Sequence, residues 1–190
     1  MKKTRCTWPG SDPLMVEYHD REWGVPNHND KIHFEFLLLE AAQAGLSWST
    51  VLKRREGYRK AFAGFDPKKV VKFNKAKAKV LLKDSGIIRN RLKVDAAITN
   101  AKLFLEVQKE FGSFDKYCWS FVGNKPIVNQ IKSLGEIVAT TPESDAFSKD
   151  LKKRGFGFVG STIIYAYMQA MGMVNDHMTT CFRYREVKKR

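Results

Sequence analysis

Asp84-Ser-Gly-Ile-Ile-Arg-Asn-Arg91 ends one helical pattern and begins another. Before it, Asn74 can cap a helix from Lys75 to Lys83. After it, a long helix reaches about Lys109, with apolar contacts expected at Leu92, Ala96, Leu103 and Leu105. A helix, a glycine-bearing turn with two apolar residues, and a basic helix start form a hairpin. Such a hairpin can offer backbone N–H groups at a helix N-terminus, with Arg89 and Arg91 nearby, to a phosphate. A plain corner between two packed helices has the same pattern, and both readings stand on these residues.

Working outward, the pattern stays helical. Asn29 or Asp30 starts a helix to Ala44 whose apolar Ile32, Phe36, Leu37 and Leu39 suit one buried face. Gly45 stops it and Ser47 caps the next, which runs through Arg55 and on to Phe62. Pro67 opens a short helix to Phe73. Tyr117 to Val122 reads as a buried helical turn with Cys118 in the core, and Asn124 to Ile137 as a loop-rich link. Pro142 starts a helix to Arg154, Gly155 to Gly160 is a glycine-punctuated loop, and Ser161 caps a last helix to Met171. Residues 1–30, broken by Trp8-Pro9-Gly10, Asp12-Pro13, Gly24 and Pro26, read as an ordered arm, while the Val187-Lys-Lys-Arg190 tail reads as charged and mobile. With no sustained strand alternation the fold class is all-α.

The 190 residues suffice for a real core, and thirty-four Lys and Arg against twenty Asp and Glu leave a net charge of +14. That surplus draws polyanions, nucleic acid first among them, unless it serves only solubility. No apolar run approaches eighteen residues and the opening Met1-Lys-Lys-Thr is no signal peptide, so a membrane partner is not expected. Three separated cysteines, Cys6, Cys118 and Cys181, fit reduced thiols in a cytosolic setting.

Two groups of residues carry chemistry. In Glu40-Ala-Ala-Gln-Ala-Gly-Leu-Ser-Trp48 a carboxylate and an indole can face one cavity, which suits a flat cationic ligand. A solvated glutamate and a core tryptophan are the plainer alternative. Cys6, His19, His177 and Cys181 make a complete set for one tetrahedral structural zinc that would pin the two chain ends together. Unrelated polar side chains remain the alternative. A Cys–His nucleophilic pair lacks a nearby oxyanion site or orienting carboxylate, and His28 and His33 read as surface residues. There is no phosphate loop, dinucleotide fingerprint or H-E-x-x-H motif.

Larger pieces then line up. They are Cys6-x-Trp8, Asp12-Pro13, Tyr18-His-Asp-x-Glu-Trp-Gly-Val-Pro26, Gln43-Ala-Gly-Leu-Ser-Trp48, Gly86-Ile-Ile-Arg89 and Trp119-Ser-Phe, then Lys152-Lys-Arg-Gly-Phe156, Phe158-Val-Gly160 and Gly172-x-Val-Asn-Asp-His177. In order and over nearly the whole chain, they resemble the 3-methyladenine DNA glycosylase I family, small bacterial repair enzymes of the helix-hairpin-helix superfamily. The hairpin resembles that element too, although Ile88 stands where a second glycine is usual.

The resemblance implies a cytoplasmic monomer that flips 3-methyladenine out of alkylated double-stranded DNA and hydrolyses its N-glycosidic bond, leaving free 3-methyladenine as a product ligand. Glu40 would be catalytic, with Tyr18 and Trp48 binding the base and Trp8 and Trp23 lining or supporting the pocket. Met15 stands where family members carry a tyrosine at the pocket edge, so a hydroxyl contact is lost. Cys6, His19, His177 and Cys181 match the family's zinc ligands, and Gly86, Ile87, Arg89 and Arg91 its DNA grip. Lys152, Lys153 and Arg154 are either a second phosphate contact or a solvated basic face. Gly160-Ser-Thr-Ile lacks the aspartate that related enzymes use, and no lysine is placed as a Schiff-base nucleophile. A monofunctional enzyme without lyase activity follows, its water activator unassigned. The whole chain is expected to be one unit. Its helix-hairpin-helix core spans about 30–160, and zinc joins residues 1–29 to 161–190.

Overall fold

The computed structural model describes residues 3–188. Its centre is α2 (Asp30–Gln43), capped by Asn29 Oδ1, which accepts from Lys31 N at 2.9 Å. The sequence pattern suggested one apolar face, but every residue from His33 to Ala42 is buried. The difference arises because helices surround α2, so that Glu35 must be neutralised inside. Arg55 Nε at 2.7 Å and Arg59 Nη2 at 2.9 Å do this. His33, expected at the surface, is likewise fully buried; its Nδ1 lies 2.5 Å from Tyr167 Oη and its Nε2 3.1 Å from Asp115 Oδ1.

Ahead of α2, Asp12 caps and Pro13 opens α1 (Pro13–Arg21). The arm expected to be irregular therefore contains a helix, which carries Tyr18 and His19. After α2, Gly45 takes a φ of +75°, where glycine is favoured, and Ser47 caps α3 (Trp48–Leu52). The single helix expected there is two, α3 and α4 (Arg55–Ala61), with the axis broken at Lys53 and Arg54. Then come α5 (Pro67–Val70), α6 (Lys75–Leu81), α7 (Arg91–Phe111) and α8 (Phe114–Ser120), the last holding Cys118 in the core as expected.

The face of α7 differs from expectation. Val94, Ala97, Asn100, Ala101, Phe104 and Val107 are buried; of the expected contacts Leu103 packs half-buried against the core, whereas Leu92 is 68% exposed. Partner helices decide the phase, and Phe104 stacks on Phe114 of α8 at 4.2 Å. Beyond α8, a two-residue strand β1 (Ile127–Val128) precedes a 3₁₀ turn at Leu134–Glu136 and α9 (Pro142–Arg154). Next is α10 (Ser161–Ala170), capped by Gly160 rather than by Ser161, whose hydroxyl instead bonds Ser144 and Asp145 of α9. Strand β2 (Val174–Asn175) pairs in parallel with β1, a minimal sheet in a helical protein. A further helix, α11 (Phe182–Lys188), takes in Val187 and Lys188 of what read as a mobile tail; Lys189 and Arg190 lie outside the described residues. Among the described residues no helix is long and apolar enough to cross a membrane.

The hairpin between α6 and α7 is held from below. Ile87 is buried, Ile88 N donates to Tyr58 Oη of α4 at 3.1 Å, and a Cβ on Gly57 would stand 2.1 Å from Gly86 O. Lys93 Nζ donates to Ala42 O and Ala44 O at 2.8 and 2.7 Å, tying the start of α7 to the end of α2. Gly57→Ala is expected to force α4 and the hairpin apart and to cost about 2–3 kcal/mol in urea unfolding. A loss below about 0.5 kcal/mol would show that the contact yields freely.

Candidate active site

Helices α1, α2, α3 and α10 meet the N-terminal segment around a cleft of about 180 Å³. Trp8, Tyr18, Trp23, Glu40 and Trp48 line it, as do Gln43, Ile137, Ala166 and Gln169. All the expected base-pocket residues meet here except Met15, which packs against the core without lining the cleft. The four additional residues had weaker signals. Gln43 belongs to the Gln43–Trp48 run, and Gln169 is a polar residue in an otherwise apolar helix. Nothing local marks Ile137 or Ala166.

The cleft is aromatic and polar at once. Tyr18 and Trp48 lie 5.2 Å apart and tilted, and Trp8 meets Trp23 edge-on at 5.0 Å. Inside this cage Glu40 is 3% exposed, and its Oε2 has no hydrogen-bond partner. Burial pushes its carboxyl up to about 8, so at neutral pH the empty cleft holds the neutral acid. Burial, and after it Glu40 itself, also raises the Tyr18 hydroxyl well above its ordinary value. Trp8 Nε1 and Trp48 Nε1 are buried donors without partners too. Orphaned buried polar atoms are costly. Three such atoms belong to residues that line one aromatic cleft, an arrangement that suits a flat ligand with polar edges. A roughly 150 Å³ protein cavity already holds benzene.

Behind the Trp8–Trp23 wall lie Cys6, His19, His177 and Cys181, all buried, with ligand atoms within 4.8 Å of one another. The sulfur-to-nitrogen distances are 3.7 Å for Cys6–His177, 3.6 Å for Cys181–His19 and 3.7 Å for Cys181–His177. Metal–sulfur and metal–nitrogen bonds of about 2.3 and 2.05 Å at tetrahedral angles place such atoms about 3.6 Å apart. The set therefore fits a zinc ion. Each histidine's other nitrogen is held as ligating imidazoles require. His19 Nδ1 lies 2.8 Å from Asp20 Oδ1, itself clamped by Arg5, and His177 Nε2 donates to Trp23 O at 2.9 Å. Asp20, the orienting carboxylate thought absent, is adjacent in sequence to His19.

A second cluster, His33, Asp115 and Cys118, is of another kind. Asp115 Oδ1 lies 3.1 Å from His33 Nε2 and 2.9 Å from His28 Nδ1, so direct hydrogen bonds close it. Cys118 Sγ is 3.7 and 3.9 Å from the two His33 nitrogens and donates to Asp115 O at 3.3 Å. It is a buried polar network rather than a cage.

The basic residues expected on the DNA side divide. Arg89 and Arg91 are exposed on the hairpin, and Lys152 and Lys153 on α9. Arg154 instead braces α9 to α7 by bonding Glu110 and Asp150 at 2.7 Å each. Ile87 is an internal anchor, and Gly86 N is taken by Asp84 Oδ1 at 2.7 Å. At the start of α7 the Asn90 side chain takes Lys93 N at 3.1 Å, so Arg91 N and Leu92 N are the first-turn donors that the helix start offers.

A profile described as methyladenine glycosylase matches residues 8–184. DNA-3-methyladenine glycosylase 1 of Escherichia coli K12 is 51% identical over 180 residues, 95% of this chain and 96% of that one. A crystal structure of a 3-methyladenine DNA glycosylase I superposes with a TM-score of 0.92 at 50% identity, covering 94% of this chain and 98% of that one. A Staphylococcus aureus structure described as the basis of 3-methyladenine recognition gives 0.91 at 34% identity, covering 94% and 95%. With a profile match over residues 8–184, and with a relative and a solved structure about half identical across nearly its whole length, the chain belongs to the methyladenine glycosylase family.

Proposed function

We propose that this chain is a DNA glycosylase that removes 3-methyladenine from alkylated double-stranded DNA by hydrolysing its N-glycosidic bond. The observation that carries this reading is Glu40, a buried and unpartnered carboxyl inside a cage of Tyr18, Trp8, Trp23 and Trp48. Adenine methylated at N3 in DNA is a cation whose glycosidic bond is already weak. Discrimination therefore matters more than protonation of the leaving group. The Trp48 face attracts the cation, and the approaching positive charge lowers the proton affinity of Glu40, whose proton passes to solvent water and leaves a carboxylate for charge-assisted hydrogen bonding. The relatives' names and the S. aureus description support the same substrate.

The base must leave the stack to enter, and a damaged base costs less to extrude. The hairpin fits the helix-hairpin-helix class: Arg89, Arg91 and the start of α7 take phosphates without reading sequence, with Lys152 and Lys153 as a second contact. Among the described residues no lysine lines the cleft, which supports a monofunctional enzyme without lyase activity. Glu40 is the single carboxylate lining it and thus the catalytic residue. Cys6, His19, His177 and Cys181 hold one structural zinc, which joins the N-terminal segment to the C-terminal one. The chain acts as one unit and as a monomer in the bacterial cytoplasm, where its polyanionic substrate resides. Free 3-methyladenine binds as product.

Chromatography of bases released from methylated DNA tests the reading. Purified protein should release 3-methyladenine and leave the strand uncut. Binding to DNA without release would reduce the chain to a damage sensor. Separately, Arg89→Ala and Arg91→Ala are each expected to weaken binding at all sequences and to lower the salt slope of log Kd by about 1. An unchanged slope would move the phosphate grip elsewhere.

A further inference from the structure

Of the two amides on the cleft wall, Gln43 and Gln169, the second has its orientation fixed by a buried partner. It sits on α10 three residues after Ala166, on the same helix face, and both line the cleft. Its Nε2 donates to Asp176 Oδ2 at 2.7 Å. Asp176, 1% exposed, also accepts from Tyr165 Oη on that oxygen and from Asn129 Nδ2 on Oδ1, each at 2.7 Å. Three donors converging on one carboxylate leave it only acceptor roles. The amide orientation is thereby fixed: the NH₂ end belongs to Asp176, and the carbonyl Oε1 is the end left for the cleft. Turning the amide over would set two oxygens against each other in a buried place.

We propose that Gln169 Oε1 is a specificity-determining acceptor that selects a bound purine carrying an exocyclic amine over one carrying a carbonyl at that edge. The proposal rests on the glycosylase reading and deepens it by naming what the pocket accepts. Glu40 cannot make this distinction alone, because a carboxyl that is neutral in the empty cleft donates to a carbonyl as readily as its ionised form accepts from an amine. The two indole N–H groups are donors and would favour a carbonyl. Of the groups on the cleft wall, the locked Gln169 amide is the one held so as to penalise a carbonyl. Sites built to hydrogen-bond a ligand group discriminate far more strongly than apolar pockets do.

The test titrates full-length protein with free 3-methyladenine and with 3-methylhypoxanthine, its 6-oxo counterpart, following indole fluorescence. Wild type should bind the 6-oxo base about tenfold or more weakly. Gln169→Met should weaken 3-methyladenine several-fold and bring the two affinities to within about twofold. Gln169→Asn, which keeps an amide but retracts it by one methylene, serves as the second variant should the first not fold. A wild type that binds both bases alike overturns the proposal. So does a variant that lowers both affinities together at an unchanged ratio, since that marks a merely structural role. Failure of the glycosylase reading would look different: no binding of either base and no base release from methylated DNA.

Discussion

Glu40→Gln is expected to lower kcat/KM for 3-methyladenine release by about 3- to 30-fold while making the protein more stable. Glutamine keeps the shape and one acceptor but cannot supply a negative charge to a cationic base. A charged hydrogen-bond partner contributes about 1.5–3 kcal/mol where a neutral one contributes about 1. The stability gain has the opposite origin. Burial raises the Glu40 carboxyl from an ordinary 4.5 to about 8, so between those values the folded state holds a proton that the unfolded chain has released. Stability then falls as pH rises through that window. Removing the titrating group removes the fall. The melting temperature of Glu40→Gln should match wild type near pH 4 and exceed it by a widening margin up to pH 8–9. In wild type, kcat/KM should rise with pH toward a plateau above about 8, where the empty cleft already holds a carboxylate. Equal kcat/KM, or a melting difference that ignores pH, would remove Glu40 from its assigned role.

Cys181→Ser should do the reverse, damaging the fold first and the chemistry only through it. Cys181 Sγ lies within 3.6–3.7 Å of both imidazoles, so serine there spoils a closed ligand set rather than one contact. The cluster fastens residues near Cys6 and His19 to those near His177, across separations of 162 and 171 positions. Structural zinc sites contribute folding free energy outright, and losing about 5 kcal/mol lowers the melting temperature of a chain this size by about 10–20 °C. Affinity for free 3-methyladenine should fall as well, because Trp23 packs on His177 at 4.7 Å and Trp8 on His19 at 5.4 Å. Elemental analysis and calorimetry decide it. Full zinc occupancy in the variant, or an unmoved transition, would reject the ligand set.

Much of this molecule was legible in one dimension because its signals are local. Caps fix helix starts through hydrogen bonds spanning two or three residues, and proline through its fixed φ, which is why Asn29, Ser47 and Asn74 on the one hand and Pro142 on the other marked helices correctly. Glu40 and Trp48 sit one helix end apart, and the Cys/His set is recognisable from chemistry alone. Where judgement depended on neighbours distant in sequence, it went astray. His33 reads as a surface residue until Tyr167 and Asp115 arrive to bond both ring nitrogens. The α7 face was set two residues off by Leu92 because apolar residues there run in two phases, and Phe114 and the surrounding helices select one. Arg154 looked free until Glu110 and Asp150 claimed it.

The sequence by itself determined a basic, helical chain with capped helices, a glycine-bearing turn before a basic helix start, a carboxylate beside an indole, and two cysteines and two histidines chemically able to hold a metal. Tertiary structure alone decided that Glu40 is buried without a partner, that Met15 stays off the cleft wall, and that Gln169 faces inward with its amide locked by Asp176. The reason is physical: propensity and capping act over a few residues, whereas desolvation and hydrogen-bond satisfaction depend on which distant atoms exclude water from a given point.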